Sequence, residues 1–227
     1  MSSNSALKLA QHEWRSILRE PRFLWPFAFT SLLLVGLQAY LLSRGFTDSP
    51  SQTILLARPM LLLLGVLVPG LCVPLAADSF AGERERHTFD LLLCLPVAPR
   101  HLFLGKVLGI IPFPLFFGWF GQGLLLLLLM YHGVPLLDFP LKVWGTLIFT
   151  PCAVAFLGAL ATWVSLRSET VRGAAQALSP LLFLAFLSAS FLSGFYFASA
   201  LVITITCALL LALAAIFLNR ASQSFFR

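Results

Sequence analysis

Charge is what this chain has least of. Only 9 of its 227 residues are acidic and 15 are lysine or arginine, 11% together, against about a quarter in an average soluble domain. The shortage excludes an ordinary water-soluble fold. Alternation of apolar and polar residues is also missing. Runs such as Leu124–Leu129 are apolar on every face, which excludes a β-barrel strand with a polar lumen side. Cys72, Cys94, Cys152 and Cys207 form no Cys-x-x-Cys pair. Three of them fall in apolar runs, where a thiol behaves as a small hydrophobe, so neither a disulfide nor a metal site is expected. Gly105-Lys106 is followed by Val107 and lacks the earlier glycine of Gly-x-x-x-x-Gly-Lys-[Ser/Thr], so no phosphate-binding loop is present. Ionisable groups are missing from well within the apolar runs, which argues against a secondary transporter or channel. No histidine accompanies a cysteine at membrane depth, which argues against an intramembrane enzyme. A membrane scaffold stays open.

What remains is apolar: 59% of the residues are hydrophobic, with 22 phenylalanines and a mean hydropathy of +0.93. A helix needs about 20 apolar residues to cross the hydrocarbon core. Six segments meet that length, 23–42, 59–77, 102–130, 143–166, 174–192 and 195–218, the last two joined by a tight connection. The expectation is an all-α membrane protein with one six-helix domain over residues 23–227, preceded by a helix within residues 1–22. The net charge of +6 is scattered among loops and does not form a nucleic-acid patch. It follows orientation instead. With a cytoplasmic N-terminus, Lys8, Arg15, Arg19, Arg22, Arg84, Arg86, Arg100, Lys106, Arg167, Arg172, Arg220 and Arg227 lie inside, and only Arg44, Arg58 and Lys142 lie outside, a strong positive-inside bias.

From Ser5 to Glu20, Leu7, Ala10, Trp14, Ile17 and Leu18 recur at helical spacing, with Lys8, Gln11, His12, Arg15 and Arg19 on the other side. That pattern predicts an amphipathic helix on the membrane surface, its basic groups toward anionic head groups and Trp14 at the interface. Pro21 ends it, and no signal peptide is expected. Prolines 69, 74, 112, 114, 151 and 180 should kink the spans. Gly105 and Gly109, and Gly118, Gly121 and Gly123, thin the third span for close helix packing. Gln38 and Gln122 are buried amides that need partners, at either a dimer interface or a translocation route.

The densest charge is an island, Asp78-Ser-Phe-Ala-Gly-Glu-Arg-Glu-Arg-His-Thr-Phe-Asp90. Its six charged residues at the bilayer centre would cost roughly 15–20 kcal/mol, so it lies outside the lipid. One reading is a solvated loop. The other is a short helix whose following Leu91–Leu95 run, stopped by Pro96 and Pro99, docks against a partner; this accounts for the leucines, which a loop does not need.

The stretch from Gly82 through Glu83, Arg84, Glu85, Arg86, His87, Thr88 and Asp90 to Pro96, then Pro99–Lys106, resembles the ABC-2 type permeases, whose pattern is roughly E-[KR]-G-T-x-E-x-L-L-x-x-P, an arginine-containing turn and G-K. Val164–Ser179 is similar to that family's fourth cytoplasmic crossing. His87 stands where the family has glycine, and Asp90 where it has glutamate; a left-handed helix end comes less easily to histidine. The resemblance implies a non-enzymatic membrane subunit of an exporter in the bacterial inner membrane, both termini cytoplasmic. It implies a cytoplasmic coupling helix between spans two and three, a second permease subunit as homodimer or heterodimer, and two ATP-binding subunits. It further implies a pathway lined partly by spans two and five, and no cofactor. By analogy Glu83, Arg84, Glu85, Arg86, His87, Thr88, Asp90 and Pro96 meet the ATPase, and the loop holding Arg167 and Arg172 approaches it. A second resemblance is to the permease of cytochrome c maturation, described as a haem exporter, through Thr150-Pro151 and Phe156-Leu-Gly-Ala159. His12, His87, His101 and His132 occupy unrelated positions and give haem ligation no support.

Overall fold

The computed structural model describes residues 4–43, 50–88, 99–134, 140–196 and 198–225. Among them the chain is helical throughout, with no strand. The helices are α1 (Asn4–Arg19), α2 (Pro21–Ser43), α3 (Pro50–Gly70), α4 (Cys72–Glu85), α5 (Pro99–Ile110), α6 (Pro112–Tyr131), α7 (Pro140–Ser165), α8 (Val171–Tyr196) and α9 (Ala200–Phe225). Among the described residues, five stretches are long and apolar enough to cross a membrane: Leu24–Leu41, Ala57–Glu85, His101–Tyr131, Trp144–Ser165 and Ala200–Gln223. The expected fifth span falls on α8, whose apolar stretch over described residues is the shorter Val171–Leu187.

α3, α4 and α7 form the buried centre, while α2, α6 and α9 carry the outer surface. Trp25, Phe29 and Leu32 on α2 and Leu201, Ile205 and Leu209 on α9 are exposed. An apolar exterior this extensive suits lipid and not water. α7 and α9 make the most extensive pairing, with Phe217 beside Phe156 and Trp163 at ring-centroid distances of 6.2 and 5.4 Å. Small residues set the closest approaches. A Cβ on Gly118 would stand 2.9 Å from Thr150 Cγ2, and one on Gly121 would stand 2.9 Å from Leu64 Cδ2. Gly123 meets nothing within 4 Å, so two of the three expected glycines serve packing.

Two expected spans are interrupted. The second breaks at Leu71, between α3 and α4, and the third at Ile111, between α5 and α6. Pro74 cannot donate to the Gly70 carbonyl, and Pro112 and Pro114 leave the Leu108 and Ile110 carbonyls without their helical donors. At two of the prolines inside continuous helices, Pro151 and Pro180, a side chain supplies the missing donor, as burial in lipid favours. Trp119 Nε1 donates to Leu147 O at 3.2 Å, the carbonyl that Pro151 leaves open. Ser179 Oγ donates at 2.9 Å to Gln176 O, opened by Pro180. At the α5–α6 break, Trp14 Nε1 donates to Leu108 O at 3.2 Å. The sixth span begins later than expected, because Phe195 and Tyr196 finish α8 and Ser199 Oγ caps α9 by accepting from Val202 N at 3.3 Å.

Both glutamines point into the protomer, so neither faces a dimer interface. Gln122 is fully buried, and its Nε2 donates to Leu61 O at 3.3 Å and Thr146 O at 3.5 Å, tying α6 to α3 and α7. Gln38 is equally buried, and its amide has no hydrogen-bond partner among the described residues.

Candidate functional site

The first part of the charged island is not a separate helix. Asp78–Glu85 forms the last turns of α4, continuous with apolar residues from Cys72 onward, and Phe80 and Ala81 within it are fully buried. Asp90, Pro96 and the leucine run lie outside the described residues.

α4 ends in a pattern that satisfies its terminal carbonyls. Thr88 N donates to Glu83 O at 2.9 Å and His87 N to Arg84 O at 3.0 Å, the paired bonds of a Schellman ending. That ending requires a left-handed residue after the cap, and His87 supplies it with φ 55°. The side chain differs from glycine, yet the backbone geometry is the one glycine favours. Thr88 Oγ1 adds a bond to Glu83 O at 3.2 Å.

Four contacts fix this end of α4 to the turn between α7 and α8. Ser165 Oγ accepts from Ala81 N at 3.1 Å and donates to Ala76 O at 3.0 Å. Arg84 Nη1 donates to Leu166 O at 2.5 Å. Glu85 Oε2 accepts from Val171 N at 3.1 Å. Val171 opens α8, so this carboxylate meets the positive end of the helix dipole and satisfies one of its orphan donors. The island and the Arg167–Arg172 loop, distant in sequence, are therefore one surface.

A second junction lies on the other side of α4. Lys106, on α5, is 1% exposed, and its ammonium donates to Glu83 Oε1 at 2.5 Å, Ser79 O at 3.0 Å and Glu13 Oε1 at 3.3 Å. The Phe80 ring lies 5.7 Å from Nζ. A buried ammonium is tolerable only with such a set, since each lone ion loses several kcal/mol of hydration. α1 reaches the junction by crossing α5 closely: a Cβ on Gly109 would stand 2.8 Å from Glu13 Cβ. Ala10 and Ile17 are buried, while Trp14 is half-buried and Leu18 exposed.

A family model described as ABC-2 family transporter protein matches residues 7–205. The chain belongs to this family. It is a membrane permease of an ABC transporter, and the family implies partnership with ABC ATPase subunits. No curated protein matches the chain.

In this permease the residues singled out from sequence divide by what they touch. Glu83, Arg84 and Glu85 hold α4 to its neighbours. Arg86 pairs with Asp78 of its own helix at 3.5 Å, its side chain 54% exposed. His87 is exposed, and so is Arg172, on the first turn of α8. Arg167 lies over the Trp163 ring at 4.3 Å, so its guanidinium already has an aromatic partner. The shared burial of Lys106 with Glu13 and Glu83 did not emerge from sequence reasoning, which placed ionisable groups outside the runs. A signal was present: Lys106 sits within the expected third span, and a lysine there, in a chain with few acids, needs a carboxylate from another element.

Proposed function

We propose that this permease is the membrane subunit of an exporter driven by a separate ATP-binding subunit, and that the ATPase acts on the end of α4. The supporting observation is that this end is tied on both sides, to α7 and α8 through Ser165, Leu166 and Val171 and to α5 and α1 through Lys106. A push on the exposed Arg86 and His87 passes into four helices without any covalent chemistry in the permease.

The positive-inside distribution supports a cytoplasmic location for this end and for both termini, in a bacterial inner membrane. At 26 residues, α8 is about 39 Å long, enough to complete six crossings over a core of about 30 Å. α1 then lies along the cytoplasmic surface. Two permease subunits enclose the pathway and two ATPase subunits drive it. An apolar cavity of about 270 Å³ between α3, α7, α8 and α9, lined by Leu62, Val66, Phe156, Ala185 and Tyr196, involves the second and fifth spans proposed to line that pathway.

The test is assembly and coupling together. An ATP-binding subunit should co-purify with the permease, and its ATPase rate should change on assembly. Glu85 and Arg86 replaced together by alanine should abolish that change while leaving insertion intact. Failure to bind any ATPase, or an unaltered response in the double variant, overturns the proposal.

A further inference from the structure

Two recesses flank α1, and their chemistries are complementary. One, of about 350 Å³, is lined by His12, Arg15, Ser16, Arg19 and Glu20. The other, of about 330 Å³, is apolar and lined by Trp14 and Leu18 of α1, Leu24 of α2, and Phe113, Phe116 and Phe117 of α6. Arg15 and Arg19 are exposed, and neither has a carboxylate partner among the described residues. They lie one turn apart, about 6 Å along the axis, so one phosphate group is within reach of both. Leu18 lies about 60° around the helix from Arg15 and lines the apolar recess, where Phe116 is 61% exposed. α1 meets α5 through Ala10 and Glu13, which approach Gly109 and Lys106, on a different face from either recess.

We propose that these recesses form one binding site for an anionic phospholipid, its phosphate on Arg15 and Arg19 and an acyl chain over Leu18 against Phe113 and Phe116. Charge selects the ligand. Two guanidiniums face one carboxylate, Glu20, which leaves a net positive surface even with His12 neutral, and a free phosphate would leave the apolar recess unfilled. The site rests on α1 lying in the membrane interface, and it adds lipid-class selectivity to that placement. Because Trp14 also bonds the open Leu108 carbonyl and Glu13 holds Lys106, a lipid bound here braces the helix that reaches the α4 junction.

The experiment uses the full-length permease in phosphatidylcholine bilayers containing acyl-brominated phosphatidylglycerol or acyl-brominated phosphatidylcholine. Quenching of Trp14 is read as the difference between the parent and Trp14→Phe. A cation near an anionic surface is worth about fivefold in binding, so two should lower the half-quenching fraction of the anionic lipid about thirtyfold relative to phosphatidylcholine. Arg15→Gln with Arg19→Gln should remove that preference, and the lysine pair should keep most of it. Excess inorganic phosphate should leave it unchanged. Equal quenching by the two lipids, or glutamine variants that retain the preference, overturns the site while leaving α1 at the interface. Displacement by inorganic phosphate overturns the lipid as ligand, and absence of quenching by either lipid overturns both site and interfacial placement.

Discussion

Replacing Lys106 by methionine keeps the length of the side chain and removes its charge, leaving Glu83 and Glu13 facing each other with no counter-ion. At an effective dielectric of about 20, each pair attracts by about 5–7 kcal/mol before hydration losses. Those losses cancel much of that attraction while the trio is intact, but removing only the cation strands the carboxylates. The expected cost is about 3–5 kcal/mol, the usual penalty for breaking a buried pair from one side. Glu83 should account for most of it, since its side chain is 16% exposed and Glu13 is 22% exposed at the longer distance of 3.3 Å. Accordingly, Lys106→Met with Glu83→Gln should be more stable than Lys106→Met alone, because the double variant removes a stranded charge. Unfolding in mixed detergent micelles, followed by circular dichroism, reads both. Limited proteolysis of α1 reads whether it leaves α5. A single variant within about 1 kcal/mol of the parent, with α1 equally protected, would refute the view that this junction holds α1, α4 and α5 together.

Two further outcomes follow from the backbone. His87→Gly should stabilise the end of α4 by about 1 kcal/mol, the left-handed strain of about 1–2 kcal/mol less glycine's extra unfolded-state entropy. His87→Ala should give no such gain, and amide hydrogen exchange at Thr88 separates the cases. Trp119→Phe should cost about 0.6–1.7 kcal/mol by leaving the Leu147 carbonyl open in an apolar setting, but much less beside Pro151→Ala, whose restored N–H bonds that carbonyl. A double-mutant cycle on thermal unfolding measures the coupling.

Much of the fold was legible because lipid imposes a length and a composition that survive without tertiary context. Five of the six expected spans correspond to apolar helical stretches, and α1 to a 3.6-residue pattern. The breaks at Leu71 and Ile111 were signalled by Pro74 and Pro112, but proline alone does not distinguish a kink from a break. Pro151 and Pro180 sit within continuous helices, where Trp119 and Ser179 satisfy the freed carbonyls. His87 was legible as a departure from glycine, and the structure gives the physical content: the φ is retained and the residue bears the strain. Contacts between remote segments were not legible. Nothing local in Glu13, Glu83 or Lys106 specifies that they share one junction, and Glu85 reads as a surface acid until Val171 is seen to begin a helix beside it. The charged end of α4 keeps the same helical hydrogen bonding as its apolar start, so Asp78–Glu85, the first part of the island, continues α4, and a change in composition does not mark a helix boundary.

The central claim, that an ATPase acts on the end of α4, is tested most directly by site-specific photocrosslinking in the assembled transporter. A photoreactive residue at His87 should crosslink to the ATP-binding subunit, with a yield that changes between nucleotide-free and ATP-bound states, while the same residue at the exposed Trp25 of α2 should not crosslink to it. A His87 position that never captures the ATPase in an assembled, ATP-hydrolysing complex would contradict the account.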